Sequence, residues 1–444
     1  MVDETLELAQ KLIRNRCVNP PGNEMRNIKT ICEFLDKNNV GYEVFESASD
    51  RGNLLAVIPG VSDGPSLMFG PGHLDVVPVA DETEWSVPPF EGVVKDQFLW
   101  GRGALDMLFL AASQCAAFTR LHREGFRPRG DLKLLLVSDE EESSQLGTAW
   151  MIKHHPDKVR VDYLVSEPGG EQFGTNRTVL WFGEKGLAPQ RITVKGREQH
   201  GSMPYLSDNA IVNLSNVIQR LVTYKLPRDL TYLRAFAKGI GLGGITGTLM
   251  KNRITFPMLL KIYGRRNPSV ASFLHAITQM TWSPNFCSGG TRTNVVAGEA
   301  HVDVDVRLLP GQDEEYVLYH MKKALGSLAA KVNIEPLISE GEKIYSEGSA
   351  SAMAGPLVDA MNASLKTVMG PEYEFVPMMQ PNGTDCRFFR QAFGTQAYGF
   401  VIHDEVMDIA TGQSLYHAVD ERIPIKSIDY TTQGYYELAK RFLS

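Results

Sequence analysis

The sequence predicts an α/β protein with a smaller α+β domain spliced into the first. Three observations predict it. The chain has 444 residues, beyond the roughly 250–300 at which one core stops growing. Short, β-rich apolar runs alternate with helical spacing near both ends. Between those ends, over about 187–341, a separate helix and strand pattern intervenes before the earlier one resumes. The expected pieces are 1–186 and 342–444 for the first domain and 187–341 for the insert.

Taken in order, Leu6 to Ile13 has helical spacing and Ile28 to Leu35 suggests a second helix. Asn53 to Ile58, Ser66 to Phe69, Leu132 to Val137 and Tyr163 to Val165 are short apolar runs bounded by Gly or Pro, the mark of strands in a buried sheet. Ala111 to His122, rich in Ala and Leu, reads as a helix between them. In the insert, Gln190 to Val194 reads as a strand and Asn209 to Tyr224 as a helix with Ile211, Leu214, Val217, Ile218 and Leu221 on one face. Val295 to Leu308 sets Val302, Val304 and Val306 against His301, Asp303, Asp305 and Arg307, the alternation of a half-exposed strand. Glu314 to Ala329 is a further helix and Val332 to Leu337 a further strand. Residues 225–285 read as helices and loops.

Composition narrows the function. The chain is 43% hydrophobic and 22% charged, with a formal net charge of −7. That argues against a nucleic-acid surface, which needs a basic footprint. Five scattered cysteines with no CxxC make neither a disulfide framework nor a thiolate zinc site. The N-terminal stretch reads as an acidic amphipathic helix rather than a signal peptide. No apolar run approaches the ~18 residues of a membrane span. The expectation is a cytoplasmic protein without nucleic-acid or membrane partners.

Five clusters carry chemistry. His73-Leu74-Asp75 follows an apolar strand, so both side chains fall on one face; the His can bind a metal while the carboxylate fixes its ring. Such a triplet also arises by chance. Gly101-Arg102-Gly103-Ala104-Leu105-Asp106 is a tight passage ending in a carboxylate, and read alone Asp106 is a helix N-cap. Ser138-Asp139-Glu140-Glu141-Glu142 follows a buried strand, where α/β sheets place their sites, although a solvated acidic turn reads the same way. Ser166-Glu167-Pro168 repeats the strand-then-carboxylate pattern, and Leu415 to Glu421, with His417 within it, lies late in the chain. Together these supply two imidazoles and several carboxylates, a donor set that suits zinc, manganese or cobalt.

With these residues in view the chain resembles the family of co-catalytic zinc aminoacylases, glutamate carboxypeptidases, dipeptidases and succinyl-diaminopimelate desuccinylases. Gly72 to Pro78 (GHLDVVP), Trp100 to Met107 (WGRGALDM), Ser138 to Thr148 (SDEEESSQLGT) and Ser166 to Pro168 (SEP) occur in the family's order, and His417 follows. The resemblance implies a zinc-peptidase catalytic domain, with a mixed sheet flanked by helices, and a ferredoxin-like lid or dimerisation domain. It implies two divalent metal ions, zinc first, with cobalt or manganese as alternatives. His73 and Glu167 would hold one, Glu141 and His417 the other, and Asp106 would bridge them. Asp75 would orient His73, and Glu140 would be the general base. A shift of one residue in the acidic run would instead make Glu141 the base and Glu142 the ligand. His200, in Gln199 to Pro204 (QHGSMP), would stabilise the oxyanion across a homodimer. Asn294 and Arg307 would contact substrate, Arg307 holding its carboxylate, although a salt bridge on the sheet's polar face explains Arg307 equally. Gly383-Thr384-Asp385 resembles a pocket-lining G-T-D segment, in which Asp385 also fits a structural role. The chain departs from the family in having Glu142-Ser143 where Gly-Gly is common, and Met107-Leu108 where many members carry Lys. The implied activity is hydrolysis of an amide bond in a dipeptide or N-acyl amino acid with a free carboxylate. The alternatives are a biosynthetic deacylase of desuccinylase or acetylornithine deacetylase type, or a binding protein that kept the fold.

Overall fold

The computed structural model describes residues 2–339 and 341–444, so Met1 and Glu340 of the expected pieces lie outside the described residues. The chain divides into two compact units: Met1–Gly183 with Ala350–Met378 and Thr384–Ser444, and Glu184–Ser349 with Met379–Gly383.

The first stretch carries β1 (Tyr42–Ala48), β2 (Arg51–Ile58), β3 (Leu67–His73), β4 (Val93–Lys95), β5 (Phe98–Trp100), β6 (Leu132–Val137), β7 (Tyr163–Ser166) and β8 (Arg177–Glu184). The insert carries β9 (Gly186–Leu187), β10 (Gln190–Lys195), β11 (Thr281–Gly289), β12 (Glu299–Leu308), β13 (Val332–Pro336), β14 (Ile338–Ser339) and β15 (Glu342–Lys343). The chain then returns with β16 (Ser349–Ala350), β17 (Glu374–Gln380), β18 (Gln396–Gly399) and β19 (Arg422–Pro424).

The main sheet has the order β1-β2-β6-β3-β7-β18-β8-β16, with β17 against β8. It is mixed: β6, β3, β7 and β18 run parallel, while β2 meets β6 antiparallel. Every residue of β3 and β6 is buried, because helices cover both faces of such a sheet and favour continuous apolar strands. On one face, Leu135 and Val137 of β6 pack with Met68, Leu164, Met151 and Phe389. On the other, the helix Leu108–Arg123 lies against β3 and packs with the helices Val2–Arg14 and Ile425–Phe442. Several strands were not read individually from the sequence, among them β1, an edge strand of mixed polarity, β8, and the β17 and β18 that follow the insert.

In the second unit β10, β11, β12 and β13 form an antiparallel sheet of order β11-β12-β10-β13. Helices Ala210–Thr223 and Glu314–Leu325 join β10 to β11 and β12 to β13, giving the ferredoxin-like βαββαβ arrangement. Val302, Val304 and Val306 of β12 are buried in a core with Leu214, Val217 and Leu221 of the first helix, as the period-2 alternation requires. Residues 225–285 hold four helices, Thr231–Gly239, Gly244–Met250, Phe256–Gly264 and Pro268–Ala276. The expectation of helices and loops there fails at Thr281, where β11 begins; the alternating strand starts at Glu299 rather than Val295. Among the described residues no helix is long and apolar enough to cross a membrane.

Candidate active site

Three adjacent parallel strands, β6, β3 and β7, deliver the first site residues at their carboxyl ends, where open α/β sheets bind ligands. His73 is the last residue of β3 and pairs in register with Val137 of β6; the acidic run follows β6 and Glu167 follows β7. His73 is buried. Its Nε2 lies 3.1 Å from Asp106 Oδ1 and 3.4 Å from Glu167 Oε1. His417 approaches from a loop, with a positive φ of 58°, and half its side chain is exposed. Its Nε2 lies 3.2 Å from Asp106 Oδ2 and 3.1 Å from Glu141 Oε2. Asp106 thus gives one oxygen to each imidazole. His73, Asp106 and Glu167 offer three ligand atoms within 4.8 Å of one another, as do Asp106, Glu141 and His417. Asp106 is not the N-cap of the following helix, which starts at Leu108.

The four consecutive acids take four directions. Asp139 accepts from Arg51 Nη2 at 2.8 Å and Asn19 Nδ2 at 3.2 Å. Glu140 is half-buried, Glu141 reaches His417, and Glu142 is exposed. Asp75 fixes this turn as well as the ring of His73, whose Nδ1 lies 3.0 Å from the Asp75 backbone carbonyl. Its Oδ1 lies 3.5 Å from His73 Nδ1, and its carboxylate accepts from the backbone N–H of Glu140 at 3.2 Å and of Glu141 at 3.1 Å, and from Asn19 Nδ2 at 2.9 Å. Burial opposes its charge, yet His73, Asn19 and the Glu141 N–H hold the Asp75 carboxyl below its ordinary pKa.

Glu421 closes the late cluster that the sequence singles out, but nothing in the sequence assigns it a role. It is fully buried. One carboxylate oxygen accepts from Leu105 N at 2.8 Å and Asp106 N at 3.0 Å; the other accepts from Gly103 N at 3.1 Å and Arg102 Nη1 at 2.7 Å. Arg102 Nη2 donates in turn to the carbonyl of His417 at 3.1 Å. The small sheet β19-β5-β4 clamps the same two segments, pairing Arg422 with Trp100. The only local signal was a carboxylate four residues beyond His417.

The electrostatics fit bound cations. Burial and the Asp106 charge push Glu167 up to about 8. Burial and neighbouring carboxylates also raise Glu140 and Glu141, whereas Asp106, despite burial, is held low by His417 and His73. His73 is raised because Glu167, Asp106 and Asp75 outweigh its burial, and hydrogen bonds to Asp106 and Glu141 lift His417 to about 10. Buried Oε1 of Glu141 has no hydrogen-bond partner among the described residues. Mutually repelling carboxylates around two imidazoles, with a spare buried oxygen, are what oxygen- and nitrogen-seeking divalent ions neutralise.

The other predicted residues fall elsewhere. His200 and Asn294 lie in the second unit, both exposed, on segments joined by a His200–Val295 bridge and a Gly201 N to Asn294 O bond of 2.7 Å. His200 Nδ1 accepts from the backbone N–H of Ser202 at 3.2 Å. Arg307 already forms a two-pronged pair with Asp305, at 2.9 and 3.0 Å. Gly383 closes the Met379–Gly383 stretch of the second unit. In the first unit, Thr384 Oγ1 accepts from Cys386 N at 3.3 Å as the helix Cys386–Phe393 begins, and Asp385 accepts from Thr148 Oγ1 at 2.6 Å.

A mixed α/β domain that gathers these acids and imidazoles at its strand ends defines a class of metal-dependent hydrolases. Residues 71–441 match the model of Peptidase family M20/M25/M40, and the chain belongs to that family. Among its relatives, a succinyl-diaminopimelate desuccinylase of Alkalilimnicola ehrlichii is 35% identical over 233 residues, 50% of this chain and 58% of the relative. A second desuccinylase, from Bradyrhizobium sp. strain ORS 278, is 26% identical over 404 residues, covering 89% of this chain and 87% of the relative. Of solved structures, the M20 family metallo-carboxypeptidase Sso-CP2 from Sulfolobus solfataricus aligns with a TM-score of 0.71 at 20% identity, over 99% of both chains.

Proposed function

We propose that this enzyme hydrolyses an amide bond, peptide or N-acyl, in a small substrate with a free carboxylate, using two divalent cations, zinc in the first instance. The observation that carries the reading is Asp106, one oxygen beside each of two imidazoles, each of which has its own second carboxylate. His73, Asp106 and Glu167 would hold one cation, and Asp106, Glu141 and His417 the other. When bound, the pair supplies Lewis-acid polarisation of the scissile carbonyl and acidifies water.

The chain's own groups supply the rest. Glu140, its affinity for protons raised by burial and by neighbouring acids, takes the proton from the attacking water and returns it to the leaving nitrogen. Asp75 holds the His73 ring and the backbone of Glu140 in place. Ser202 engages Nδ1 of His200 through its N–H and its hydroxyl, which leaves Nε2 as the ring nitrogen that would face an oxyanion. Arg307 would exchange Asp305 for the substrate carboxylate, which matches its planar fork, while Asn294, Gly383 and Thr384 would line the substrate. A homodimer built through the second unit is supported by the exposed edge strand β11.

The test is hydrolysis of a pool of dipeptides, N-acyl amino acids and N-succinyl-diaminopimelate by chelator-stripped and metal-restored enzyme. Cleavage that disappears on stripping and returns with zinc, cobalt or manganese supports the reading. Cleavage indifferent to chelation would falsify it. Cleavage of the succinyl compound alone would favour the desuccinylase reading, which the second relative's 26% identity across most of the chain supports.

A further inference from the structure

The overall charge of −7 conceals an uneven distribution. Between Leu230 and Gly298 there is no Asp or Glu, against eight Lys and Arg. The stretch contains the four helices that separate Ala210–Thr223 from β11. None of those eight cations forms an ion pair among the described residues, and Arg253, Lys261, Arg265 and Arg266 are exposed.

The same stretch also exposes large aliphatic side chains. Ile245 is 81% exposed, Ile254 85%, Met258 58% and Ile262 58%. These helices do have a core, since Leu233, Phe236, Phe256 and Leu274 are buried, so the exposed side chains are surplus to it. On the helix Phe256–Gly264, Met258 and Ile262 stand four residues apart and form one row. Lys261 and, at the helix end, Arg265 form the row beside it. Arg253 and Ile254 repeat the pairing in the turn before the helix. Aliphatic side chains beside unpaired cations suit a bilayer interface, where apolar groups enter the headgroup boundary and cations meet anionic lipid.

We propose that this helical segment of the second unit docks the enzyme on an anionic lipid surface, with Ile254, Met258 and Ile262 entering the headgroup boundary and Arg253, Lys261, Arg265 and Arg266 meeting lipid phosphates. Charge complementarity selects this occupant. A second copy of the same face would bring like charges together. A nucleic-acid strand would leave the aliphatic row exposed, because stacking needs a run of aromatic rings and the helix offers one, the half-exposed Tyr263. A bilayer satisfies both halves of the pattern. The inference departs from the expectation of no membrane partner, which rested on the absence of an apolar run of spanning length.

The experiment is co-sedimentation of the full-length protein with vesicles of phosphatidylcholine alone and of phosphatidylcholine mixed with phosphatidylglycerol. Binding is expected to the mixed vesicles only and should fall steeply between about 0.1 M and 1 M salt, as the Debye length shrinks from ~10 to ~3 Å. Replacing Lys261, Arg265 and Arg266 together by Gln should weaken partitioning roughly a hundredfold, at about fivefold per charge near an anionic surface. Met258→Ser with Ile262→Ser should weaken it by about tenfold or more. Both variants should keep wild-type hydrolysis of a small substrate, which shows that they fold. Failure to bind mixed vesicles, equal binding to neutral ones, or binding indifferent to both variants overturns the proposal. So does a change of oligomeric mass in the Met258/Ile262 variant, which would make the face an interface between copies. Retention on polyglutamate without vesicle binding overturns it in favour of an acidic protein.

Discussion

The two halves of the candidate metal centre are built differently. His73 ends a fully buried strand, with Asp75 behind its ring and Val137 of β6 paired beside it. His417 sits on a half-exposed loop in a left-handed conformation and owes its place to Arg102 and, through it, to Glu421. One half is fixed by the sheet; the other is fixed by a single buried carboxylate that collects four donors. A sheet tolerates the loss of one hydrogen bond, whereas such a hub does not. The His417 half should therefore be the more easily disturbed.

The largest effect should come from the residue common to both halves. Asp106→Ala should abolish binding of both cations and lower kcat/KM by more than roughly 10³-fold, as a lost catalytic group does; metal analysis and kinetics check both. Glu140→Gln leaves both halves intact, so its metal content should stay normal while kcat falls by about 10²–10⁴-fold. An inactive variant that has also lost metal would point to Glu140 as a ligand instead. Glu421→Gln tests the asymmetry. Affinity for one cation should drop by about 10–100-fold, the usual cost of losing a group that orients ligands, while the other holds, and activity should return at high metal concentration. Equal loss of both would break the comparison. Asp75→Asn should be milder, nearer tenfold, since the amide oxygen still accepts one backbone N–H; its signature is a weakened His73 side by metal titration.

Much of the site was legible because its residues sit in short motifs whose order is itself information. His73, Glu141 and Glu167 each follow a strand that periodicity reveals, and Asp106 ends a glycine-rich passage. Glu421 was not legible: a carboxylate that gathers main-chain N–H groups from a segment 315 residues away leaves no local pattern. Burial alone would not have helped. His403 is as buried as His73, but with no carboxylate beside it burial pushes its imidazole down to about 3, the state of a core residue. In the fold, β11 escaped because an exposed edge strand broken by Pro284 at a register shift shows no alternation. The acid-free stretch escaped because one number stood for the charge of the whole chain.

The dependence of the Asp106 loop on Glu421 also sets an order in time. Synthesis proceeds from the N-terminus, so Asp106, His73, the acidic run and Glu167 all leave the ribosome long before His417 and its supporting carboxylate. Until His417 and Glu421 arrive, the early acids have neither their second imidazole nor the hub that shapes their loop. A chain that ends before Glu421 cannot assemble the complete centre, so the His73 half must wait for residues made more than 300 positions later.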